Sequence, residues 1–249
     1  MRTLPLSRRQ ILRTGALSIG AVSLPSAARQ CLIYSIPGGL SHVDTFDMKP
    51  LAPRDIRGEF REIPTNVPGI RICEHLPRLA RLMDRFTLVR SMTAGETNHE
   101  RAAALWLAAA PPAADNVAQA IARIESGEPL VSLSTVSMLD VDRHGALFPV
   151  YRDTLLPRID QDLASLIHHL EMRGLLTTTL LLVATEFGRT PRINEGAGRD
   201  HHAAAWSMLY AGGGTQGGRV IGATDATGST VTNSPITPEQ LLKRLGQRD

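Results

Sequence analysis

The sequence predicts an α/β fold with a mainly parallel sheet covered by helices on both faces. Continuously apolar runs suit strands that are buried on both sides, and amphipathic helical segments alternate with these runs along the chain. The chain has 249 residues, of which 43% are hydrophobic and 20% are charged, as in ordinary globular proteins. We therefore expect one folded α/β domain rather than a disordered or fibrous chain.

The first part of the chain begins this alternation. Residues 31–37 (CLIYSIP) predict a buried first strand that a glycine pair ends. Residues 49–75 contain repeated prolines and turn formers, which predict a long surface excursion. The apolar spacing within residues 76–86 predicts a helix, and residues 87–92 (TLVRSM) predict a second strand.

The middle of the chain is patterned less strongly. Thr97 or Asn98 can cap an Ala-rich helix, which the prolines at 111–112 must end. Residues 113–130 predict mostly helix and loop, and residues 129–139 (PLVSLSTVSML) predict a third strand.

The last part of the chain has the clearest pattern. An apolar stripe over residues 155–173 predicts an amphipathic helix, and residues 177–185 (TTTLLLVAT) predict a buried strand. Residues 205–214 predict another strand, and residues 217–228 a hairpin-like piece. Residues 237–246 predict a final helix that begins with a capping box.

The composition argues against nucleic-acid binding. The formal charge is only +3, and the arginines are scattered rather than collected in a basic run with aromatic residues between them. Two cysteines, Cys31 in a predicted strand and Cys73 in a predicted loop, are too few for a disulfide framework or a thiolate metal site. The sequence leaves a single disulfide between them open.

Residues 1–29 have the layout of an export signal, with a basic start, a short and mildly apolar middle, and a small-residue end. Arg8 and Arg9 form the pair that is typical of a twin-arginine signal. The apolar stretch is too short for a stable transmembrane helix. We expect the twin-arginine machinery to export the chain to the periplasm or cell envelope, with residues 30–249 as one domain. The alternative is a basic helix start in a cytosolic protein.

Metal-ligating side chains recur at one end of the predicted sheet. They are His42 and Asp44 after the first strand, His99 after the second, Asp142 and His144 after the third, Glu186 after the fourth, and Asp200 and His201 before the fifth. In sheets of this kind, sites form beyond the carboxyl ends of the strands. Carboxylates neutralise a cation and neutral imidazole supplies a directed lone pair, so the sequence predicts a site for one or two divalent ions. Zn, Ca, Mg and Mn are all candidates.

Each of these groups has a simpler interpretation when it is taken alone. Asp44 suits an Asx turn, and Asp142 suits a turn former. Guanidinium groups such as those of Arg189 and Arg199 suit phosphate or sulfate, but either arginine could instead pair with Glu186 or Asp200 to hold the loop. His202 is expected to be a bystander.

Several blocks of the sequence resemble the exported bacterial proteins of the domain-of-unknown-function 1501 family. They are SRRQILRTGALSIG, GGLSHVDTFDMKPLAPRDIRGEF, VPGIRICEHLPRLARLMDRFTLVRSMT, FPVYRDTLLPRIDQDLASLIHHLEMRGLL, EFGRTPRINEGAGRDHH and GGRVIGATDATG. That family is grouped with the alkaline-phosphatase and sulfatase-like superfamily. The resemblance implies this superfamily's fold and the hydrolysis or transfer of phosphate or sulfate esters at a divalent metal site.

The resemblance also implies roles for individual residues. Asp44 lies where the superfamily places a metal-binding acid, and Asp142 and His144 keep the ligand-type residues of a Trp-Asp-Thr-His motif. Glu186 takes the place of a strand-end Asp, although Phe187 replaces the His that usually follows. His201 resembles the metal-binding histidine that lies towards the end of the superfamily's sequences.

The resemblance implies a nucleophile as well. Thr97 opens a helix as the superfamily's nucleophile segment does, with Ser41 as the second candidate, and Arg189 is a candidate to steady the transferred group. The chain is shorter than typical members, and Ala94 stands where relatives tend to have a His. We expect a metal-dependent hydrolase of small-molecule or glycan sulfate or phosphate esters. The alternatives are a non-catalytic exported binding protein and a degenerate, truncated member.

Overall fold

A computed structural model describes residues 18–19, 22–23, 25, 27–107 and 113–246. Most of the predicted export signal, including Arg8 and Arg9, lies outside the described residues. Within the described part of the chain, each helix is too short or too polar to cross a membrane.

Six strands form the central sheet. They are β1 (Gln30–Ser35), β2 (Phe86–Met92), β3 (Leu130–Leu133), β4 (Thr179–Ala184), β5 (Trp206–Gly212) and β6 (Arg219–Ile221), in the spatial order β6-β2-β5-β4-β1-β3. β1 pairs in parallel with β3 and β4, and β6 pairs in parallel with β2, whereas β5 is antiparallel to both of its neighbours. The prediction of a mainly parallel sheet is confirmed, with β5 as the single reversed strand.

Apolar side chains of the central strands alternate between two cores, as the period-2 geometry of strands requires. Leu181 and Val183 of β4 pack in the larger core, on the side of the longest helix. Leu180 and Leu182 of the same strand pack in the smaller core, on the side of the last helix. β4 is therefore buried on both faces, which explains why its sequence is continuously apolar.

Helices cover both faces of the sheet. They are α1 (Arg54–Arg57), α2 (Pro77–Ala80), α3 (His99–Leu107), α4 (Val117–Glu125), α5 (Met138–Val141), α6 (Leu147–Val150), α7 (Leu156–Met172) and α8 (Pro238–Leu245). A 3₁₀ turn (Met83–Arg85) precedes β2, and a π turn (Tyr151–Leu155) joins α6 to α7. α7 packs in the larger core and α8 in the smaller one.

Four short two-stranded ladders complete the secondary structure of the described residues. They pair Ser18–Ile19 with Val22–Ser23, Glu62–Pro64 with Arg71–Cys73, Gly188–Arg189 with His201–His202, and Ala223–Thr224 with Val231–Asn233. The sequence predicted a single hairpin-like piece over residues 217–228. The structure has β6 and the ladder of Ala223–Thr224 with Val231–Asn233 in this region.

The predicted surface excursion over residues 49–75 is partly packed. It contains α1 and a ladder whose Ile72 and Cys73 are fully buried, so Cys73 lies in a strand rather than in a loop. Cys31 and Cys73 are both free thiols. The sequence pattern missed this ladder because prolines and charged residues interrupt its short apolar stretch.

The predicted helix over residues 76–86 is broken in two. The side chain of Asn66 donates to the carbonyl of Arg81 at 2.8 Å and accepts from the backbone N–H of Asp84 at 3.1 Å. These bonds engage backbone groups that a continuous helix would need, so the helical turns on either side remain short.

The third strand is shorter than predicted. β3 ends at Leu133, and Ser137 caps α5 by accepting from the backbone N–H of Leu139. Asp142 is the C-cap residue of α5 rather than the first residue after a strand. The Asp-x-His pair at 142 and 144 therefore reaches the sheet edge from a short helix.

Candidate metal centre

The reversed strand β5 explains how side chains from distant segments meet at one edge of the sheet. The parallel strands β1, β2 and β4 end at this edge, and β5 begins there because it runs the opposite way. A short ladder also pairs His201 with Arg189, which fixes the loop before β5 against the loop after β4. His201 is thus held beside the residues that follow β4.

Three histidines and one aspartate face one another at this edge. Nε2 of His201 lies 3.1 Å from Nε2 of His99 and 3.2 Å from Nε2 of His144. Oδ1 of Asp142 lies 3.3 Å from Nε2 of His201 and 3.1 Å from Nε2 of His144, and its Oδ2 lies 3.3 Å from Nε2 of His99. We refer to His99, Asp142, His144 and His201 as the histidine-aspartate cluster.

The other ring nitrogen of each histidine is committed to an oxygen acceptor. Nδ1 of His99 lies 2.8 Å from Oε1 of Glu186, and Nδ1 of His144 lies 2.7 Å from Oδ1 of Asp200. Nδ1 of His201 lies 3.0 Å from the carbonyl oxygen of Thr97. A carboxylate or carbonyl oxygen can only accept, so each Nδ1 carries the proton and donates it. In the neutral ring, the lone pair is then on Nε2.

Three lone pairs and a carboxylate therefore converge. Arg189 bonds Asp142, and its Nη1 lies 3.4 Å from Nε2 of His144. The lone pairs of His99 and His201 still face each other at 3.1 Å, which is repulsive unless a proton or a cation lies between them. Histidines that bind metals in proteins characteristically donate their second N–H to a carboxylate or carbonyl, as His99, His144 and His201 do. Ligands at 2.0–2.1 Å from a tetrahedral zinc ion are about 3.3 Å apart. The spacing of 3.1–3.3 Å among His99, Asp142 and His201 fits that geometry.

The charges around the cluster favour the protonation states that metal binding requires. Burial raises the pKa of Asp142, but the hydrogen bond and the charge of Arg189 outweigh it, so the pKa of this carboxyl is lowered. Burial and the charge of Arg189 lower the pKa of His201. The hydrogen bond from His144 lowers the pKa of Asp200. Carboxylates are thus kept ionised, and the His201 ring is kept neutral.

Gly38 brings the loop after β1 against the end of α5. Its φ is +112°, and a Cβ at this position would lie 2.9 Å from the backbone nitrogen of Asp142 and from Cβ of Val141. The backbone N–H of Gly38 donates to Oε1 of Glu186 at 2.6 Å. A glycine is required here because any side chain would push Asp142 out of the cluster.

Arg189, predicted as a group that steadies the transferred group, contacts Asp142 in the structure. Its guanidinium is fully buried and bonds the carbonyl oxygens of Gly38, Gly39 and Arg199 as well as Oδ1 of Asp142. With its donors used in this way, Arg189 orients the aspartate of the cluster.

Glu186 and Asp200 lie behind the cluster. Glu186 is 5% exposed, and its Oε1 accepts from His99 and from the backbone of Gly38. Asp200 accepts from His144 and, at 3.1 Å, from the side chain of Asn194. Both acids were predicted as metal ligands. In the structure each accepts a hydrogen bond from one histidine of the cluster and so orients its ring.

Asp44, Ser41 and His42, which follow β1, lie in other networks. Arg199 donates to both carboxylate oxygens of Asp44, at 2.6 and 2.8 Å, and Ser41 Oγ donates to Oδ2 at 2.6 Å. Asp44 and Arg199 are both fully buried. Nε2 of His42 lies 2.8 Å from the carbonyl oxygen of Gly228. The structure does not bring these three predicted site residues into the cluster.

The arginines of the loop pair with different acids from those considered in the sequence. Arg189 pairs with Asp142 and Arg199 with Asp44, rather than with Glu186 or Asp200. Asp44 is 155 residues from Arg199 along the chain, so no local spacing could indicate this pair.

Phe187 supports the cluster, a role that the sequence did not indicate. Its ring is fully buried, and its centroid lies 4.8 Å from the ring centroids of both His99 and His201. The residue that replaces the expected metal-binding His therefore packs against two histidines of the cluster.

The fold and the cluster define a mixed α/β protein with a candidate metal centre at the edge of its sheet. The chain matches the family model described as "Protein of unknown function (DUF1501)" over residues 28–115 and 107–247, and it belongs to this family. No curated protein matches the chain.

Among solved structures, the chain is similar to one titled "Crystal structure of Ps i-CgsB in complex with k-i-k-neocarrahexaose". The identity is 13% and the TM-score is 0.29, over 51% of this chain and 31% of that chain. The chain therefore spans less than a third of that protein.

Proposed function

We propose that this protein is a metal-dependent hydrolase of sulfate or phosphate esters and that the histidine-aspartate cluster holds its divalent ion. The observation that carries the proposal is the set of three Nε2 lone pairs, each fixed by an Nδ1–H bond to an oxygen, around the carboxylate of Asp142. Imidazole suits zinc and similar transition metals, whereas Ca²⁺ and Mg²⁺ prefer all-oxygen ligands. Zinc is therefore the favoured ion.

The cluster is open to solvent on one side, which supports a catalytic rather than a structural metal site. The side chain of His144 is 50% exposed, compared with 18% for His99 and 27% for His201. The ligand atoms of His99, Asp142 and His201 all lie within 4.8 Å of one another. Three ligands of this kind leave coordination positions for a fourth donor, His144, and for substrate or water.

The bound ion would polarise the ester oxygen and lower the pKa of a water or hydroxyl nucleophile. The chain's own residues prepare this chemistry. Arg189 keeps Asp142 ionised, and Glu186 and Asp200 hold two histidines with their Nε2 atoms inward. α3 begins at His99, so its N-terminus would favour an anionic group beside the cluster.

Thr97 remains the candidate nucleophile. It is exposed, and its carbonyl oxygen already bonds His201, which places the residue next to the cluster. Ser41 is a weaker candidate because it is fully buried and its hydroxyl donates to Asp44. The twin-arginine pattern of residues 1–29 supports an exported enzyme, and the substrate would be a small-molecule or glycan ester.

Turnover of p-nitrophenyl phosphate and p-nitrophenyl sulfate tests the proposal. We expect chelation to abolish hydrolysis of at least one ester and added zinc to restore it. His201→Ala should reduce kcat/KM by more than the roughly 10- to 100-fold that loss of a supporting contact costs. His202→Ala, at the next position, is the matched control and should keep full activity.

Zinc-loaded protein that hydrolyses neither ester would contradict the proposed activity. Hydrolysis that survives both chelation and His201→Ala would contradict the assignment of that activity to the cluster.

A further inference from the structure

A cavity lies at the opposite edge of the sheet from the histidine-aspartate cluster. Its volume is about 440 Å³, and it lies between the sheet and α8. The loop after β5 forms one wall, and Gly212 at the end of β5 pairs with Leu180 at the start of β4. The cavity is therefore at the amino edge of the parallel strands, whereas the cluster is at their carboxyl edge.

The lining of this cavity is polar and positively charged. Polar atoms form more of its accessible surface than apolar atoms do. They come from the glycine-rich loop of residues 213–216 and from the side chains of Arg219 and Arg244. Apolar lining residues such as Leu241 are buried in the smaller core. The lining has two arginines and no acidic residue, so the cavity favours an anion.

Neither arginine has an acidic partner in the described part of the chain. Both side chains are exposed, and Arg244 makes no side-chain hydrogen bond or ion pair with the residues that the structure describes. Arg219 makes one long hydrogen bond, to Oε1 of Gln216 at 3.4 Å. Two guanidinium groups are therefore free to bind an anion that enters the cavity.

The glycine-rich loop adds backbone donors. The N–H of Gly213 donates to the carbonyl oxygen of Leu176 at 2.8 Å and so fixes the loop. The N–H groups of Gly214 and Gln216 both line the cavity and have no acceptor among the described residues. Gly214 has a φ of +83°, and a Cβ there would lie 2.7 Å from Cβ of Ala27. Free backbone N–H groups in such turns are typical of anion sites.

We propose that this cavity binds a small polar phosphate monoester, such as a sugar phosphate, with its phosphoryl group on Arg219 and Arg244. Guanidinium groups bind phosphate oxygens through paired, charge-assisted hydrogen bonds. A phosphate monoester carries nearly two negative charges at neutral pH, which matches two guanidiniums better than the single charge of a sulfate ester does. The volume suits a small molecule, whose hydroxyl groups can bond the side-chain amide of Gln216.

Isothermal titration of the full, metal-free chain with glucose 6-phosphate tests the proposal. Chelation removes any ion from the candidate metal centre, and dialysis then removes the chelator. We expect saturable binding of one glucose 6-phosphate per chain. The proposal is independent of the metal site, so its failure would leave the proposed hydrolysis untouched.

Adjacent cations on α8 provide a matched pair of variants. Arg244→Ala should weaken the binding of glucose 6-phosphate by about tenfold or more, as expected for the loss of charged hydrogen bonds. Lys243→Ala removes the same charge from the neighbouring exposed position, which does not line the cavity. This control should bind as the unaltered chain does. Equal affinity of the two variants would overturn the proposal.

Two ligand comparisons need no variant and so remain valid if a variant fails to fold. Glucose lacks the charge and should bind at least about tenfold more weakly than glucose 6-phosphate. Glucose 6-sulfate has only one charge and should bind at least about threefold more weakly. The proposal is overturned if the folded, unaltered chain shows no saturable binding of glucose 6-phosphate, or if glucose or glucose 6-sulfate binds as tightly.

Discussion

Asp142 links the candidate metal centre to the buried interior. Its Oδ1 faces two histidines and also accepts from Arg189, whose guanidinium has no exposure to solvent. Removing this carboxylate would leave the charge of Arg189 buried without its acidic partner, which is strongly destabilising. A change at His201 is therefore a cleaner test of metal binding than a change at Asp142.

Asp44 illustrates a different use of an acid at the same sheet edge. It accepts two hydrogen bonds from Arg199, and both side chains are fully buried. A buried guanidinium must be paired, so the charge of Asp44 is already compensated. The sequence pattern groups Asp44 with the candidate ligands and gives no sign of this pairing with Arg199.

His42 should make stability depend on pH. Burial is the main cause that lowers its pKa from 6.5 to about 4, with nearby His202 also lowering it and Asp47 opposing the shift. The unfolded chain then binds this proton more readily, so stability should fall as pH falls from about 6.5 to about 4 and level off below. The loss should be about 3 kcal/mol.

Urea unfolding of the metal-free protein at several pH values checks this prediction. His42→Gln is the informative variant, because its side-chain amide can still donate to the carbonyl oxygen of Gly228 without titrating. The stability of the variant should fall less steeply between pH 6.5 and 4. Parallel curves for the two proteins would show that His42 does not cause the dependence.

At the scale of elements, the reversal of β5 brings the site together. The sequence places His201 before a strand and the other candidate ligands after strands, and only an antiparallel β5 puts them at one edge. Apolar patterning shows that β5 is a strand but does not fix its direction, because both directions bury the same side chains. The pairing of His201 with Arg189 fixes the position of His201 relative to the residues that follow β4.

α3 is the element that a bound ion should stabilise most. His99 on this helix is one of the proposed ligands, and Ala102 packs against Phe187 and Ala203 in a small separate cluster. Arg101, with 72% side-chain exposure, is a trypsin site within the first turns. Zinc at 100 times its dissociation constant should slow cleavage after Arg101 by up to about 100-fold, because cleavage requires local unfolding of the helix.

Cleavage after Arg173, at the end of α7, serves as the internal control and should not change with zinc. Mass spectrometry of timed digests distinguishes the two sites. Equal rates at Arg101 with and without zinc would contradict the role of His99 in binding the ion.

For the whole molecule, much of the framework could be predicted from the sequence. Apolar runs indicate the buried parallel strands, and the positions of His99, Asp142 and His144 after predicted strands indicate their shared edge. The place of His201 at the same edge depends on the reversal of β5, which the sequence does not indicate. The sequence could not predict which acidic residues would bind an ion, which would orient a histidine and which would neutralise an arginine. That choice depends on contacts such as His99 with Glu186, which are 87 residues apart and have no local signature.

The central sheet is the frame that carries the candidate metal centre. It is buried on both faces and rigid by its packing, and the histidine-aspartate cluster lies at its carboxyl edge.

Metal content is the most direct test of the central claim, and adjacent histidines provide the matched pair. Nε2 of His201 belongs to the cluster, whereas Nε2 of His202 bonds the carbonyl oxygen of Ser229. After zinc loading and desalting, elemental analysis of the unaltered protein and of His202→Ala should find about one zinc per chain, and of His201→Ala less than about 0.1. Zinc-free unaltered protein, or equal zinc in the two variants, would contradict the account.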